Sequence, residues 1–449
     1  MGHLILMITL RYYKGTILSG NVHIPYSTWD RTLNSYKALG MYYREALNYL
    51  KESGIPFQDN VMDPVPCPSL SADVLPRPYQ VDALYSWEDA GRRGVVVLPT
   101  GAGKTHVGIL AIQQVNAPTI VVVPTIDLME QWRRRLSLAF SVEVGAYGGG
   151  EETLGPLTVS TYDSAYIRAE ELGNKFPLII FDEVHHLPSP GYSQIAELFA
   201  SPFRLGLTAT YEREDGLHSE LPRLVGEKVY ERKVSEMAGE HLAPFRVQRI
   251  YVDLTDQEGE EYRRNISKFR EYLAKRGLRM RTQKDFQRLV IMSGRDPEAR
   301  EALLARNRAM EIALNSSLKS EALRKILSET DDKTIVFTQH NQLVYRLSRE
   351  FLIPAITHET PKDERSEILN MFREGRYRVI VTSKVLDEGI DVPDASLGII
   401  LSGTGSKREF IQRLGRLLRK VEGKEARLIE IVSRSTAEAR TSHRRRSAI

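Results

Sequence analysis

Leu98-Pro99-Thr100-Gly101-Ala102-Gly103-Lys104-Thr105 stands directly after an apolar run, Gly94-Val95-Val96-Val97, and directly before a helix-like stretch. No other stretch of the chain constrains its fold as strongly. Glycines at a strand-to-helix turn let consecutive backbone N–H groups point at phosphate oxygens, with the positive end of the helix dipole behind them. Lys104 is then placed to reach the β- and γ-phosphates of a nucleoside triphosphate, and the Thr105 hydroxyl to hold Mg²⁺. The strict P-loop pattern has glycine where Leu98 stands, so the match is incomplete on its own. A second element supports it: Leu178-Ile179-Ile180-Phe181 reads as a buried strand that ends at Asp182-Glu183-Val184-His185-His186. Such a strand puts Asp182 at the carboxyl edge of a parallel sheet, where α/β folds bind ligands. There Asp182 is a second Mg²⁺ ligand, and Glu183 orients and deprotonates the attacking water. A glycine turn and an unrelated surface acidic pair would have to produce both elements by chance in the right order.

Short β-branched runs (Val95-Val96-Val97, Ile120 to Val123, Leu157 to Val159, Leu178 to Phe181, Leu205 to Leu207) alternate with amphipathic stretches, as a parallel sheet flanked by helices requires. The rhythm stops between about 255 and 310, which reads as helical and charged. It resumes at Thr334 to Phe337, Val379 to Thr382 and Leu397 to Leu401. The implied organisation is a first α/β lobe over residues 73–234, a second over 235–254 and 311–449, and a helical insertion over 255–310. Residues 1–72 form a small α+β domain, set off by a linker with Pro64, Pro66, Pro68, Pro76 and Pro78. In this domain Leu4 to Leu10 reads as a first strand and Thr16 to Ile24 as strand-like. Leu33 to Leu50 reads as a helix whose stripe, Tyr36, Leu39, Tyr43, Ala46, Leu47 and Leu50, suits a core better than a base-stacking surface.

Composition sets outer limits. With 42% hydrophobic and 27% charged residues the chain reads as an ordinary soluble protein, and a net charge of +4 permits a polyanionic partner without requiring one. Cys67 is the only cysteine, which excludes an internal disulfide and a cysteine-based metal site and fits a reducing cytoplasm. Leu4 to Leu10 is too short to span a bilayer, so no membrane partner is expected.

The second lobe has no P-loop of its own but carries Gln412-Arg413-Leu414-Gly415-Arg416-Leu417-Leu418-Arg419. On a helix, Gln412, Arg416 and Arg419 share one face. Two guanidiniums aimed together suit a phosphate chain and can stabilise charge on the γ-phosphate. Val385 to Pro393 adds Gly389, which allows close backbone approach, and Asp391, a partner for an arginine or a ribose hydroxyl. A site divided between lobes closes on ATP and opens on product release.

These motifs fall in the order found in superfamily 2 helicases. Pro78-Tyr79-Gln80 resembles their Q motif, and the P-loop stands as motif I, Val123-Pro124-Thr125 as motif Ia, Asp182 to His185 as motif II and Leu207-Thr208-Ala209-Thr210 as motif III. Ile335 to Thr338, Val381 to Asp391 and Gln412 to Arg419 resemble motifs IV, V and VI. Within the superfamily the chain resembles the XPB family in its compact archaeal form. Leu98-Pro99 leads the P-loop, Ser160-Thr161-Tyr162-Asp163-Ser164 and Ile353 to His358 match, and Arg213-Glu214-Asp215 stands where that family has its Arg-Glu-Asp motif.

The resemblance implies two RecA-like parallel-sheet lobes, a helical thumb and an N-terminal domain of damage-recognition type. It also implies an ATP-dependent 3′→5′ DNA helicase or duplex DNA translocase in DNA repair, including nucleotide excision, or in DNA opening. By it, Arg77 and Gln80 join the nucleotide site, with Gln80 reading the adenine. Thr100, Gly101, Ala102 and Gly103 hold phosphate beside Lys104 and Thr105, while Arg416 and Arg419 reach the γ-phosphate. Thr161, Arg213, Glu214 and Asp215 face nucleic acid. A partner nuclease, a monomeric state and a nucleoid-associated cytoplasmic location also follow from the resemblance.

The insertion makes a separate physical case for DNA. From Arg263 to Arg288 it carries Arg263, Arg264, Lys268, Arg270, Lys275, Arg276, Arg279, Arg281, Lys284 and Arg288 against only Glu271 and Asp285. Such an excess releases counterions from a phosphate backbone. Phe269, Tyr272 and Phe286 lie among these charges and suit the insertion's own core better than base stacking. His185 and His186, being adjacent, point apart and do not suggest a chelate; His185 suits a link from the ATP site to motif III or VI. Two other readings stay open: an RNA-stimulated ATPase of the same superfamily, and an ATP-regulated DNA clamp that positions a partner nuclease.

Overall fold

The apolar runs around the P-loop form the middle of an eight-stranded sheet in the computed structural model, which describes residues 7–213, 215–237, 244–280, 283–383, 395–402 and 426–439. The strand order is Lys228–Glu231, Arg93–Val97, Phe203–Thr208, Leu178–Asp182, Thr119–Val123, Leu157–Thr161, Val144–Gly148 and Glu151–Glu152. All neighbours are parallel except the last pair. Every residue of Thr119–Val123, Leu157–Thr161 and Leu178–Asp182 is buried, which is why these strands read as unbroken apolar runs. Val97 is in register with Thr208, and Leu207 with Asp182. The P-loop, Thr208 and Asp182 therefore leave the sheet at one carboxyl edge. The wholly buried Arg204 pins the strand between them by donating to the carbonyls of Ala196, Phe199, Ser201 and Leu224.

This sheet belongs to the first of two units, Met1–Lys233 and Val234–Ile449. The first unit also holds a five-stranded sheet ordered Thr28–Asp30, Ser35–Leu39, Thr16–Leu18, Ile8–Tyr13 and Phe57–Asn60. One helix, Tyr43–Glu52, covers it, placing Tyr43, Ala46 and Leu50 against Leu10, Ile17 and Ala38. The helix is shorter than its sequence stripe suggests. Tyr36 and Leu39 lie on a strand, after a turn at Asn34 with φ of +48°, and the strand read over Thr16 to Ile24 stops at Leu18. The small sheet is fastened to the large one: Tyr12 donates to Leu198 O at 3.1 Å, Asn174 Nδ2 to Val61 O at 3.0 Å, and Arg93 pairs with Glu45 at 3.0 Å.

The second unit has a six-stranded, wholly parallel sheet, ordered Phe245–Val252, Ala426–Ser433, Leu397–Ile400, Thr334–Phe337, Val379–Thr382 and Ala355–Ile356. Between its first two strands in the chain lie four helices, of which the first three, Asp256–Lys275, Gln283–Ser293 and Pro297–Leu314, make up the insertion and the fourth is Ser317–Ser328. Ala299, Ala302, Ala305, Ala309 and Ala313 form a buried stripe that lets the third approach the first closely, with Phe269, Tyr272 and Leu289 filling the far end. The aromatics Phe269 and Tyr272 are thus core residues. One carboxylate closes the root of this insertion: Glu258 accepts from Thr255 N at 3.1 Å, Ser316 Oγ at 2.9 Å and Ser317 N at 2.9 Å.

Candidate functional site

Gly101 (φ +87°) and Gly103 (φ +81°) both adopt left-handed backbone, and a Cβ on Gly103 would lie 2.6 Å from Gln80 Nε2. The helix Lys104–Val115 starts immediately after; His106 N donates to the N-cap carbonyl of Gly103 at 2.9 Å, which leaves the N–H groups of Lys104 and Thr105 without a backbone acceptor among the described residues. Thr105 is buried, and Lys104 Nζ rests 3.4 Å from Leu98 O. Thr100 Oγ1 is buried with no hydrogen-bond partner among the described residues. Such an atom costs about 1–3 kcal/mol unless a ligand completes it. Backbone donors, an ammonium, hydroxyls and a nearby carboxylate make a donor set that fits a nucleoside triphosphate with Mg²⁺.

Tyr79 and Gln80 fix the P-loop from behind. Tyr79 donates to Ala102 O at 2.7 Å, while Gln80 Nε2 donates to Ala102 O at 3.1 Å and Gly103 O at 3.4 Å. Gln80 Oε1 accepts from Arg77 N at 2.9 Å, so its amide is engaged at both ends and 3% of the residue is exposed. In this structure Gln80 holds the P-loop rather than presenting a free amide to a base. Arg77 caps the helix Pro78–Asp89 and reaches Tyr79 with its guanidinium, 3.2 Å from the hydroxyl.

Asp182 is 5% exposed, and each of its carboxylate oxygens takes a donor. Oδ1 accepts from Glu183 N at 3.0 Å and Oδ2 from Trp132 Nε1 at 2.7 Å. Burial pushes its carboxyl above the ordinary range, opposed by the Lys104 ammonium, the indole and the Glu183 amide. Glu183 sits in left-handed backbone, φ +49° and ψ +51°, a conformation that costs a non-glycine residue about 1 kcal/mol or more. His185 Nδ1 lies 3.5 Å from Glu183 Oε2 and 3.0 Å from Thr208 Oγ1, and Thr208 Oγ1 lies 2.8 Å from Thr210 O. The imidazole thus spans from the acidic pair to the end of the neighbouring strand, on the motif III side.

Arg213 is the next link. It donates to His185 O and grips Asp215 with both arms, at 2.9 and 2.6 Å, which holds the Asp215 carboxyl down at about 2. Its guanidinium is therefore turned toward the Asp182–His186 segment. Thr161, also read as facing nucleic acid, is buried and caps the helix Tyr162–Ile167, bonded to Ser164 N at 3.2 Å and Ser164 Oγ at 3.0 Å. Glu214, Arg281, Gly389, Asp391, Gln412, Arg416 and Arg419 lie outside the described residues.

On the insertion, Arg263, Arg264, Arg270 and Arg279 are exposed and make no ion pair among the described residues. Lys268, Lys275 and Arg276 are exposed too, but acids near the start of Pro297–Leu314 meet them. Lys268 pairs with Glu301 at 3.9 Å, Lys275 with Glu298 at 3.0 Å and Arg276 with Asp296 at 3.1 Å. The basic excess is narrower than the charges within residues 263–288 suggest, because the neutralising acids come from beyond that window.

Sequence reasoning missed Trp132, and it placed Tyr79 in the Q motif without its bond to the P-loop. Trp132 lies on the buried stripe of Ile126–Phe140 and reads as core. Its signal was on the facing helix: Gly108 stands mid-helix, where glycine costs about 1 kcal/mol against alanine, and a Cβ there would meet the Trp132 ring at 2.6 Å.

Three families match consecutive parts of the chain: type III restriction enzyme, res subunit, over residues 73–213; helicase conserved C-terminal domain over 318–421; and xeroderma pigmentosum group B helicase damage recognition domain over 10–61. The chain is 51% identical to the DNA 3′-5′ translocase XPB2 of Sulfurisphaera tokodaii, over 98% of this chain and 100% of that protein. It is 32% identical to the DNA 3′-5′ helicase XPB of Mycobacterium tuberculosis, over 80% of this chain and 61% of that one. It is 30% identical to the yeast general transcription and DNA repair factor IIH helicase/translocase subunit XPB/SSL2, of which it spans 44%. The Hef helicase domain of Pyrococcus furiosus superposes with a TM-score of 0.55 at 20% identity, covering 83% of this chain and 98% of that one, a likeness of fold.

Proposed function

The chain belongs to the XPB family of DNA helicases, and from that membership we propose that it is an ATP-driven 3′→5′ DNA helicase or duplex DNA translocase acting in DNA repair or DNA opening. The observation that carries the mechanism is the meeting of the P-loop with Asp182 and Glu183 at one sheet edge. There the P-loop N–H groups and Lys104 bind the phosphates of ATP, and Thr105 and Asp182 hold Mg²⁺. When bound, Mg²⁺ neutralises charge on the transferring phosphoryl group. Glu183 orients a water and takes its proton. His185 holds Glu183 in relation to Thr208, and Arg213 carries that arrangement on to Asp215. Arg416 and Arg419 of the second lobe stabilise charge on the γ-phosphate, so that hydrolysis requires both lobes. The lobes are those of residues 73–234 and of 235–254 with 311–449.

Residues 255–310 act as a thumb that grips DNA phosphates without reading sequence. Residues 1–72 act as a damage-recognition-type domain. The protein works as a monomer in the cytoplasm, at the nucleoid, with a nuclease as partner; among the described residues no helix is long and apolar enough to cross a membrane.

Steady-state ATP hydrolysis by wild type and Glu183→Gln, with duplex, forked or single-stranded DNA or with RNA at two salt concentrations, tests this reading. DNA stimulation that the substitution abolishes and salt weakens is the expected result. Stimulation by RNA alone overturns the substrate, and DNA binding without turnover leaves a clamp.

A further inference from the structure

Trp132 has two features that a core tryptophan does not need. Its ring is wholly buried, yet its single polar atom does not reach for a backbone carbonyl. Nε1 donates at 2.7 Å to Oδ2 of Asp182, a carboxylate fifty residues further along the chain. Room for the ring is made by leaving out a side chain, since a Cβ on Gly108 would stand 2.6 Å from Cη2 and 3.3 Å from Cζ3 of the indole. Gly108 lies one turn into the helix that opens with Lys104 and Thr105. The indole is therefore clasped between the phosphate-binding helix and the acidic strand end.

A carboxylate oxygen has two lone-pair sites. The Glu183 amide takes one on Oδ1 and Trp132 one on Oδ2, which fixes the plane of the Asp182 carboxylate and leaves one acceptor direction on each oxygen. Tyr162 adds a third restraint by donating to Asp182 O at 3.1 Å, so backbone and side chain are both tied. Trp132 also sits on Ile126–Phe140, whose N-cap, Thr125, is one residue, Pro124, beyond the strand Thr119–Val123. A rotation of that helix would turn the carboxylate.

We infer that Trp132 is a positioning residue for the metal-side carboxylate, holding Asp182 in the one orientation that accepts hydrated Mg²⁺ beside the P-loop, and that Gly108 exists to let it do so. The inference rests on the nucleotide site proposed above and goes beyond it by naming the group that orients its acid. Such outer partners of metal ligands carry about a tenfold to hundredfold effect on metal affinity or activity when removed.

The test is binding of a fluorescent ADP to the full-length protein, titrated with Mg²⁺ and repeated in EDTA, alongside steady-state ATP hydrolysis. Two variants are used: Trp132→Phe, which keeps most of the ring volume and loses the N–H, and Gly108→Ala, which keeps the indole and displaces it. Both are expected to raise the Mg²⁺ concentration needed for half-maximal ADP binding by about tenfold or more and to lower kcat. ADP binding in EDTA and the KM for ATP at saturating Mg²⁺ stay near wild type. A purely packing role lowers thermal stability and leaves the Mg²⁺ titration where it was; that outcome in both variants overturns the inference. A loss of ADP binding in EDTA as large as the loss in Mg²⁺ also overturns it, since the whole pocket would then have collapsed. If wild type itself binds ADP without regard to Mg²⁺, the nucleotide-site reading fails first, a result distinguishable because it appears before any substitution.

Discussion

At the carboxyl edge of the first sheet, Asp182 is 5% exposed and each of its oxygens holds a donor, whereas on the helix Asp256–Lys275 Arg263, Arg264 and Arg270 stand in solvent with no acid paired to them among the described residues. The first region works by placement: a few atoms fixed by strand register, left-handed glycines and a buried indole. In the proposed function the second works by charge density, which tolerates a displaced side chain because phosphates repeat along DNA and counterion release depends on charges rather than angles. Substitutions should therefore act mainly on turnover in the first region, and in a graded, salt-dependent way on DNA affinity in the second.

The largest separation is expected from Glu183→Gln. It should lower DNA-stimulated kcat by about 10²–10⁴-fold while leaving the DNA dissociation constant within about twofold, measured by hydrolysis and by anisotropy on the same preparation. A matching loss of DNA affinity would break the division of labour.

Next in size is a contrast inside the insertion. Replacing Arg263, Arg264, Arg270 and Arg279 together by alanine should flatten the slope of log affinity against log salt by up to about 0.9 for each DNA phosphate that is no longer neutralised, with kcat at saturating DNA unchanged. The triple change of Lys268, Lys275 and Arg276 should do clearly less, because Glu301, Glu298 and Asp296 already offset those charges. Equal effects from the two sets would show that the ion pairs do not matter.

The smallest effect concerns the insertion's root. Burial works to raise the Glu258 carboxyl, but the amides of Ser317 and Thr255 and the nearby serine hydroxyls outweigh it and hold it below the ordinary value. A carboxyl lowered in the fold contributes stability that is fully present above its unfolded value, about 4.3, and is lost as the pH falls through its lower folded value. Glu258→Gln should therefore speed amide exchange at Thr255 and Ser317 by about fivefold to thirtyfold near pH 7, equivalent to about 1–2 kcal/mol. That difference should shrink below pH 4; one that persists there assigns the effect to shape rather than charge.

The same contrast governs what the sequence discloses. Lys104, Thr105, Asp182 and Glu183 are legible because each belongs to a short run whose chemistry needs those residues at that spacing, and strand register then brings the runs together. Trp132 is not legible, since it forms one pair with a residue fifty positions away and otherwise looks like any buried aromatic. Arg213 and Thr161 sit in motifs that resemblance assigns to nucleic acid, and their polar groups meet neighbours within those motifs, Asp215 and Ser164; the further partner of Arg213, His185 O, is one that only the folded chain brings to it. In the small N-terminal sheet, Tyr36 and Leu39 match a helical stripe by number alone. The turn at Asn34 and pairing of Ser35–Leu39 with two other strands override that spacing.

The most direct test of ATP-driven movement on DNA is displacement of a third strand from a triplex, with the flanking duplex placed on one side or the other. Wild type should displace the strand only with hydrolysable ATP and Mg²⁺ and with 3′→5′ polarity, while Glu183→Gln binds the same DNA and displaces nothing. Displacement supported equally by a non-hydrolysable analogue, or by Glu183→Gln, would contradict the account.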